Sequence, residues 1–306
     1  MVFPLKNNKI NKYKFDNNKL EKFKSIFTKV KHVAKNVIYL KGWSKEDLNK
    51  KINYVRFNKN INFTFKNYLV RIVKEPNPLV LKSKELRYKS FFNDNNIKLD
   101  SDKFDQLCDH LVVVDRSIAD DFVVGSYRLL LKPKNKKRIN FYSESEFNLD
   151  KLFKIKNSTL LEAGRSCVHE NYRDGRIIKL LWRGLASYII SRKVDLIFGC
   201  ASFPSSQSER FEKELSYLFH NHKPPKRFSI RPLNHLKAKF NRVDRKHYDS
   251  DSVFRSLPPL VKAYIRAGAW ISEGAACDYA FDTTDVLIIL KAKNIIKKYS
   301  NLSKIN

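Results

Sequence analysis

Cysteine is scarce in this chain and long apolar runs are missing, and both absences exclude classes of protein. Its four cysteines, Cys108, Cys167, Cys200 and Cys277, lie far apart and form no C-x-x-C pair. Neither a disulfide framework nor a zinc ribbon is therefore predicted, and the cysteine content is consistent with a reducing compartment.

No segment approaches the ~18 uninterrupted apolar residues of a membrane-spanning helix, and the N-terminus lacks the apolar core of a signal peptide. We expect a cytoplasmic protein that at most lies on a membrane surface.

Acidic residues are also scarce relative to basic ones. The chain has 61 Lys and Arg against 31 Asp and Glu, a formal charge of +30, and residues 1–60 hold 16 basic against four acidic residues. Such an excess predicts a polyanionic neighbour, either nucleic acid, an anionic membrane or an acidic protein. A general bias of the composition toward Lys and Asn would instead make the charge a solvated surface.

The sequence predicts three regions. Residues 1–66 are rich in Lys and Asn, with apolar residues at spacings of three and four, which favours an amphipathic basic helix for anionic headgroups. The alternatives are a helix packed on the rest of the chain or a loosely ordered tail. Residues 67–297 carry the pattern of one folded domain with a basic, loop-rich insertion at 221–256, and residues 298–306 form a tail.

Within the folded region the predicted elements alternate between buried strands and amphipathic helices. The strands are Tyr68–Val73, His110–Asp115, Phe122–Leu131, a short one at Phe141–Glu144, and Thr284–Leu290. The helices cover Leu79–Asn93, Leu149–Phe153, Gly175–Arg192, Ser208–His220 and Leu257–Ile265. Residues 158–201 read as strand, basic glycine turn, helix and strand, a βαβ unit. This α/β (α+β) pattern of a mixed, mostly antiparallel sheet flanked by helices is the layout of the GNAT acyltransferase superfamily.

Six blocks of sequence, in order, resemble the bacterial L-ornithine Nα-acyltransferases. They are Phe141–Phe147, Leu161–Val168, Leu181–Ala186, Phe198–Phe203, Leu257–Tyr264 and Phe281–Val286. The resemblance covers about residues 80–297. More loosely, Glu162 and Arg165 in a Glu-x-x-Arg pattern, with Arg87 and Phe91 upstream, are similar to the acyl-homoserine-lactone synthases.

The resemblance implies a donor, an acceptor and a product. Such enzymes move a 3-hydroxyacyl chain from acyl carrier protein to the α-amine of L-ornithine, forming lyso-ornithine lipid at the inner membrane face. An O-acyltransferase would act next. The donor is the phosphopantetheine thioester, and no tightly bound cofactor is expected. The alternative function is that of a related N-acyltransferase that uses another amine acceptor or an acyl-CoA donor.

Aminolysis of a thioester needs a neutral amine and a polarised carbonyl, and no protein nucleophile. Glu162 is the predicted proton acceptor, because the α-amine is largely protonated at neutral pH. Arg165 is predicted to bind the substrate carboxylate or to support Glu162. On a regular strand the two would face opposite sides, so we expect a bulge near Gly164. The alternative for Glu162 is a structural ion pair.

Further residues are candidates for substrate binding. Arg87 and Phe91 follow from the looser similarity. An acidic partner for the side-chain amine is sought among Asp109, Asp115, Glu144 and Glu146, and the sequence does not choose among them. His169 is a candidate lining residue or a satisfied core histidine.

The turn Arg173-Asp174-Gly175-Arg176 departs from the GNAT pattern R/Q-x-x-G-x-G/A. It is predicted to suit the single phosphate of phosphopantetheine rather than a full pyrophosphate, and the alternative is a plain helix start. Basic residues around it, with Lys179 and Arg183, are candidates to meet acyl carrier protein.

The residues do not favour a cysteine nucleophile, a metal site or a nucleic-acid-binding function. Cys167 and Cys200 are predicted core residues rather than nucleophiles, and His220 and His222 lack further ligands, so no metal is predicted. A nucleic-acid-binding protein is a distant alternative, weakened because the aromatics are not interleaved with the basic clusters. A catalytically idle adaptor for acyl carrier protein or a membrane is a further alternative.

Overall fold

A nine-stranded mixed sheet organises the part of the chain that the computed structural model describes, residues 61–92 and 98–299. Its strands are β1 (Asn62–Phe65), β2 (Tyr68–Val73), β3 (Asp109–Asp115), β4 (Val123–Lys132), β6 (Leu160–Val168), β7 (Leu196–Phe203), β9 (Trp270–Ile271), β10 (Ala276–Asp278) and β11 (Thr283–Lys291). Two further strands, β5 (Phe147–Asn148) and β8 (Arg231–Pro232), pair with each other.

The strand order is β1-β2-β3-β4-β6-β7-β11-β10, and β9 also pairs with β11. Among the described strands, only β6 and β7 run parallel. The predicted mixed, mostly antiparallel sheet is therefore confirmed. Continuous apolar runs explain β3 and β4, since strands covered on both faces do not need to alternate.

Seven α-helices lie within the described residues. They are α1 (Pro78–Phe92), α2 (Asp150–Phe153), α3 (Arg176–Arg192), α4 (Glu212–Asn221), α5 (Ser250–Ser256), α6 (Pro259–Arg266) and α7 (Ala292–Tyr299). The central βαβ unit is β6, α3 and β7, as predicted. No helix in this part of the chain combines the length and the apolar character that crossing a membrane requires.

The helices cover opposite faces of the sheet. Helix α1 belongs to the same buried cluster as Val112 and Val114, whereas α3 and α6 belong to another cluster with Leu111 and Val113. Because successive side chains of a strand point to opposite faces, α1 and α6 lie on different sides of the sheet. A cavity that both α1 and α6 line must therefore pass through an opening in the sheet.

The predicted boundaries at the N-terminus need one correction. Strand β1 pairs with β2, from Asn62 opposite Arg71 to Phe65 opposite Tyr68, so the sheet begins inside the segment predicted as a separate region. The predicted basic helix lies in residues 1–60, outside the described residues. Every described residue belongs to one unit, Asn53–Asn306.

A second correction concerns Phe141–Glu144, which was predicted as a strand. Tyr142–Ser145 form a 3-10 helix instead. The Glu144 carboxylate accepts the backbone N–H of Phe141 at 2.8 Å, which closes the turn locally. An apolar and aromatic run alone does not show this capping contact, so the pattern favoured an extended segment.

Candidate active site

Strand β6 contains the predicted bulge. Arg128 on β4 pairs with Gly164, but Ser126, two residues earlier, pairs with Cys167, so β6 has one extra residue between these points. Arg165 has φ +51°, in the left-handed region that non-glycine residues rarely adopt. As expected of a bulge, Glu162 and Arg165 both line one cavity despite their spacing.

The parallel strands β6 and β7 separate part of the way along. They pair from Leu160 opposite Leu196 to Glu162 opposite Phe198, and the ladder ends there although both strands continue. Beyond this point their facing backbone N–H and C=O groups are not used in a ladder between the two strands. Glu162 is therefore the last paired residue before the sheet opens.

A cavity of about 570 Å³ occupies this opening. It is lined by residues of both separating strands, including Gly164, Ser166, Cys200 and Ser202, and by α1 and α6. Since α1 and α6 lie on opposite faces, a cavity shared by both exists where the sheet is open. Its apolar lining is Phe91, Phe92, Leu130, Phe203, Leu260, Tyr264 and Phe281. Phe91, a predicted substrate contact, is one of these lining residues.

Glu162 is buried, with 5% of its surface exposed, and its carboxylate is oriented by backbone. Tyr142 donates its N–H to Oε2 at 2.9 Å, and Ser143 donates its N–H to Oε1 at 2.7 Å. Burial raises the pKa of Glu162, although these hydrogen bonds and the charge of Arg128 oppose the increase. No lysine or arginine of the described chain forms an ion pair with Glu162, so the structural ion pair considered above is not present in it.

Arg165 lines the same cavity and pairs with two aspartates. Its Nε donates to Asp100 Oδ2 at 3.1 Å, and its Nη2 lies 3.5 Å from Asp102 Oδ2. Its guanidinium also lies over the rings of Tyr142 and Phe281, 4.4 and 4.6 Å from their centroids. Neither predicted role is tested by these contacts, and binding of the substrate carboxylate stays a prediction.

Arg87 is not available to a substrate. It is fully buried and donates to Asp100 Oδ2 at 2.6 Å and to Asp105 Oδ1 at 2.7 Å, and it is absent from the cavity lining. These bonds and charges raise its pKa against the opposing effect of burial. The prediction that Arg87 binds substrate is wrong for this position, because three aspartates at 100–105 hold the arginines of this network. The spacing Asp100-x-Asp102-x-x-Asp105 is the sequence signal that could have indicated it.

Three other predicted binding residues also lie outside the cavity lining. Asp115, at the end of β3, accepts the hydroxyl of Tyr172 at 3.0 Å. Glu144 caps Phe141 and pairs with Arg138. His169 accepts the N–H of Asn171 through Nδ1 at 3.3 Å. Each has a local structural contact that accounts for it.

The basic turn follows β6 but does not line the cavity either. Arg173 donates to the carbonyl of Val168 at 3.1 Å, and Arg176 is held by Asp174. Gly175, the N-cap residue just before α3, has φ +91°, a conformation that favours glycine. Arg183, a candidate for partner contact, stacks its guanidinium over Phe63, 4.5 Å from the ring centroid.

A buried acidic pair, Glu146 and Asp285, lies beside the cavity. The sequence offered Glu146 among four candidate partners for the side-chain amine, but it did not indicate Asp285. Glu146 and Asp285 are 3% and 4% exposed, and Asp285 lines the cavity. One ligand atom each of Glu146, Asp285 and Cys200 lie within 4.8 Å of one another, so this group has a spacing at which a metal ion could also bind. Burial, together with the charge of Asp285, raises the pKa of Glu146 to about 9. Only spatial proximity reveals this pair, since Glu146 and Asp285 lie far apart in the sequence.

A mixed sheet that opens between its two parallel strands, with a buried carboxylate at the opening, defines an acyltransferase of the GNAT fold. In agreement, residues 86–183 match the family model described as an acetyltransferase (GNAT) domain. The crystal structure of the acyl-homoserine-lactone synthase LasI is similar at 14% identity, covering 76% of this chain and 94% of that chain, with a TM-score of 0.41.

Curated relatives give the narrower family. The L-ornithine N(alpha)-acyltransferase of Brucella abortus is 36% identical over 230 residues, 71% of this chain and 82% of its own. The protein of the same name from Rhizobium meliloti is 38% identical over 208 residues, 67% and 70% of the two chains. The chain belongs to the L-ornithine Nα-acyltransferase family, which confirms the predicted resemblance.

Proposed function

We propose that this protein transfers a long 3-hydroxyacyl chain from acyl carrier protein to the α-amine of L-ornithine, forming lyso-ornithine lipid. The observation that carries the proposal is the position of Glu162, a carboxylate without a cationic partner in the described chain, at the edge where β6 and β7 separate. The names of the curated relatives support ornithine as the acceptor.

Glu162 is proposed to accept a proton from the α-ammonium of the acceptor. The neutral amine nitrogen then bonds to the thioester carbonyl carbon, the C–S bond breaks, and the departing sulfur takes up the second proton, which the nitrogen loses as it becomes an amide. A carboxylate with a raised pKa is a better base than an ordinary one near neutral pH. The two backbone donors keep Glu162 in one orientation, so little reorganisation accompanies proton transfer.

The opened strands are proposed to hold the thioester. A carbonyl placed between them can accept a hydrogen bond from backbone N–H groups that the ladder no longer uses, which stabilises the oxygen as it gains charge. The aromatic and aliphatic lining around Phe91 and Leu260 suits an alkyl chain. Arg165 is proposed to contact the α-carboxylate of the acceptor from the same cavity.

The donor arm is proposed to approach along the turn after β6. Arg173, Gly175 and Arg176 lie at the N-terminus of α3, where backbone N–H groups and the helix dipole favour a phosphate. A phosphopantetheine arm has a single phosphate, which suits a turn with one glycine. Delivery of the product to the inner membrane face is part of the same proposal.

The experiment is a reaction of purified full-length protein with 3-hydroxyacyl carrier protein and L-ornithine, with free carrier thiol and acylated ornithine as readouts. Equimolar release of both supports the proposal. A parallel reaction with the matching acyl-CoA separates the donors, and lysine and glutamine in place of ornithine separate the acceptors. Absence of thiol release with every acceptor contradicts acyl transfer, and a preference for acyl-CoA contradicts the proposed donor.

A further inference from the structure

Two carboxyl groups beside the cavity have no counter-charge in the described chain. Both Oε atoms of Glu146 and Oδ1 of Asp285 are buried without a hydrogen-bond donor, and no described lysine or arginine pairs with either residue. Asp278 adds a third carboxylate to the cavity lining nearby. Arg128 and Arg165 line the same cavity, but they pair with Asp100, Asp102 and Asp105 instead.

The arrangement is unfavourable for an empty protein. Ionising two adjacent carboxyl groups away from water has a large free-energy cost. Burial accordingly raises the pKa of both Glu146 and Asp285. Folding has nevertheless placed them together from two distant segments. Glu146 is fixed through its backbone, since it donates its N–H to Ser143 and accepts the N–H of Leu233. The strand β11 fixes Asp285 opposite Ser202.

We propose that Glu146 and Asp285 form the subsite that binds a second ammonium group of the acceptor. This inference rests on the proposed function and extends it, because it predicts that a diamino acid is preferred over a monoamino acid. A primary ammonium has three donors and suits the three acceptor atoms that have no donor here. Binding displaces the proton that the pair retains when empty.

A divalent cation is the competing occupant, because Cys200 offers a third ligand atom within 4.8 Å of one atom each of Glu146 and Asp285. The Cys200 thiol donates to Ser143 Oγ at 3.5 Å in this structure. Chelation with EDTA therefore separates a metal ion from an organic cation in the test below.

The test compares ornithine with norvaline, which has the same carbon chain but lacks the side-chain amine. KM and kcat are measured for both acceptors with wild type, E146Q, D285N and the double variant. The control variant is D150N, which removes an exposed carboxylate that pairs with Arg138 outside the cavity. Melting temperatures of all variants establish that they fold.

Wild type is expected to prefer ornithine in kcat/KM by about tenfold to a hundredfold, the range for hydrogen bonds to a charged group. The double variant should raise KM for ornithine by a similar factor, so that the preference for ornithine over norvaline is lost, and leave the KM of the donor unchanged. D150N should behave as wild type. Equal use of both acceptors by wild type, or an unchanged preference in the double variant, overturns the subsite. Loss of the preference on adding EDTA identifies a metal ion and overturns it as well.

A second measurement distinguishes failure of the proposed function from failure of the subsite. Should wild type acylate neither amino acid, binding is measured directly by thermal shift. Ornithine is then expected to raise the melting temperature of wild type and D150N more than norvaline does, with the difference absent in the double variant. An equal shift from both amino acids in wild type overturns the subsite independently of catalysis.

Discussion

Gly199 lies directly against the backbone of Ala163. A Cβ at residue 199 would be 2.3 Å from the carbonyl oxygen of Ala163, closer than van der Waals contact allows. These two residues immediately follow the last paired residues, Glu162 and Phe198. The absence of a side chain at 199 thus lets β7 approach β6 at the place from which the two strands separate.

Gly199→Ala is expected to lower the free energy of unfolding by about 1–3 kcal/mol, the range for overpacking a filled interior. It should also lower kcat/KM, because relief of the contact widens the opening and moves Glu162. The measurements are urea unfolding and acyl transfer. Gly164→Ala is the stability control, since a Cβ there meets nothing within 4 Å. Equal stability and activity of G199A and wild type would show that the close approach does not matter.

Glu162→Gln is expected to lower kcat about a hundred- to ten-thousandfold, as for loss of a general base. Part of any change is structural, because the amide NH2 would face one of the two backbone donors, Tyr142 or Ser143. The pH profile of kcat/KM separates the two effects. Loss of a base removes an inflection of the profile, whereas a structural defect lowers the whole profile without moving the inflection.

Glu144→Gln is the matched control for this substitution. Glu144 also accepts a backbone N–H in the same 3-10 helix, but it lies outside the cavity lining. We expect reduced stability with an unchanged pH profile. A profile of E162Q that resembles that of E144Q would remove Glu162 from proton transfer.

Local sequence patterns predicted most strands and helices, whereas the environment of each site residue depends on contacts between distant segments. The strands at Tyr68–Val73 and Thr284–Leu290 were predictable because a buried strand is a short apolar run whatever its neighbours. The bulge after Gly164 was predictable because Glu162 and Arg165 must share a face. By contrast, the fate of Arg87 depends on aspartates that follow it by more than ten residues. No local rule distinguishes an arginine that binds substrate from one that is enclosed by the protein.

Arg87→Leu is expected to destabilise the fold by about 3–5 kcal/mol, because it leaves Asp105 buried without its main partner. Burial alone would raise the pKa of Asp105, but hydrogen bonding and charge from Arg87 hold it well below its usual value. A depressed carboxyl pKa adds stability above the unfolded-state pKa, and this stability is lost as the pH falls. Urea unfolding at about pH 7 and at about pH 3, which is below the unfolded-state pKa of 3.8, should therefore show a smaller deficit for R87L at the lower pH.

Arg138→Leu is the control for an arginine that pairs at the surface. Its side chain is 52% exposed and pairs with Glu144 and Asp150. Exposed pairs contribute about 0–1 kcal/mol, so its loss should be small at both pH values. A deficit of R87L no larger than that of R138L would contradict the buried network.

For Glu146 we predict the opposite dependence of stability on pH from that of Asp105, because its pKa is raised rather than lowered. Its pKa is raised from 4.5 to about 9 by burial and by the charge of Asp285, so between these values the folded chain binds more protons than the unfolded chain. Stability from this group is therefore complete below about pH 4.5 and is lost as the pH rises toward 9. The thermal stability of wild type should fall over this window more steeply than that of E146Q, whose amide does not titrate. Ornithine should reduce the fall in wild type, because an ammonium bound between Glu146 and Asp285 compensates their charge. Parallel slopes for wild type and E146Q would show that the pair does not retain a proton in the folded protein.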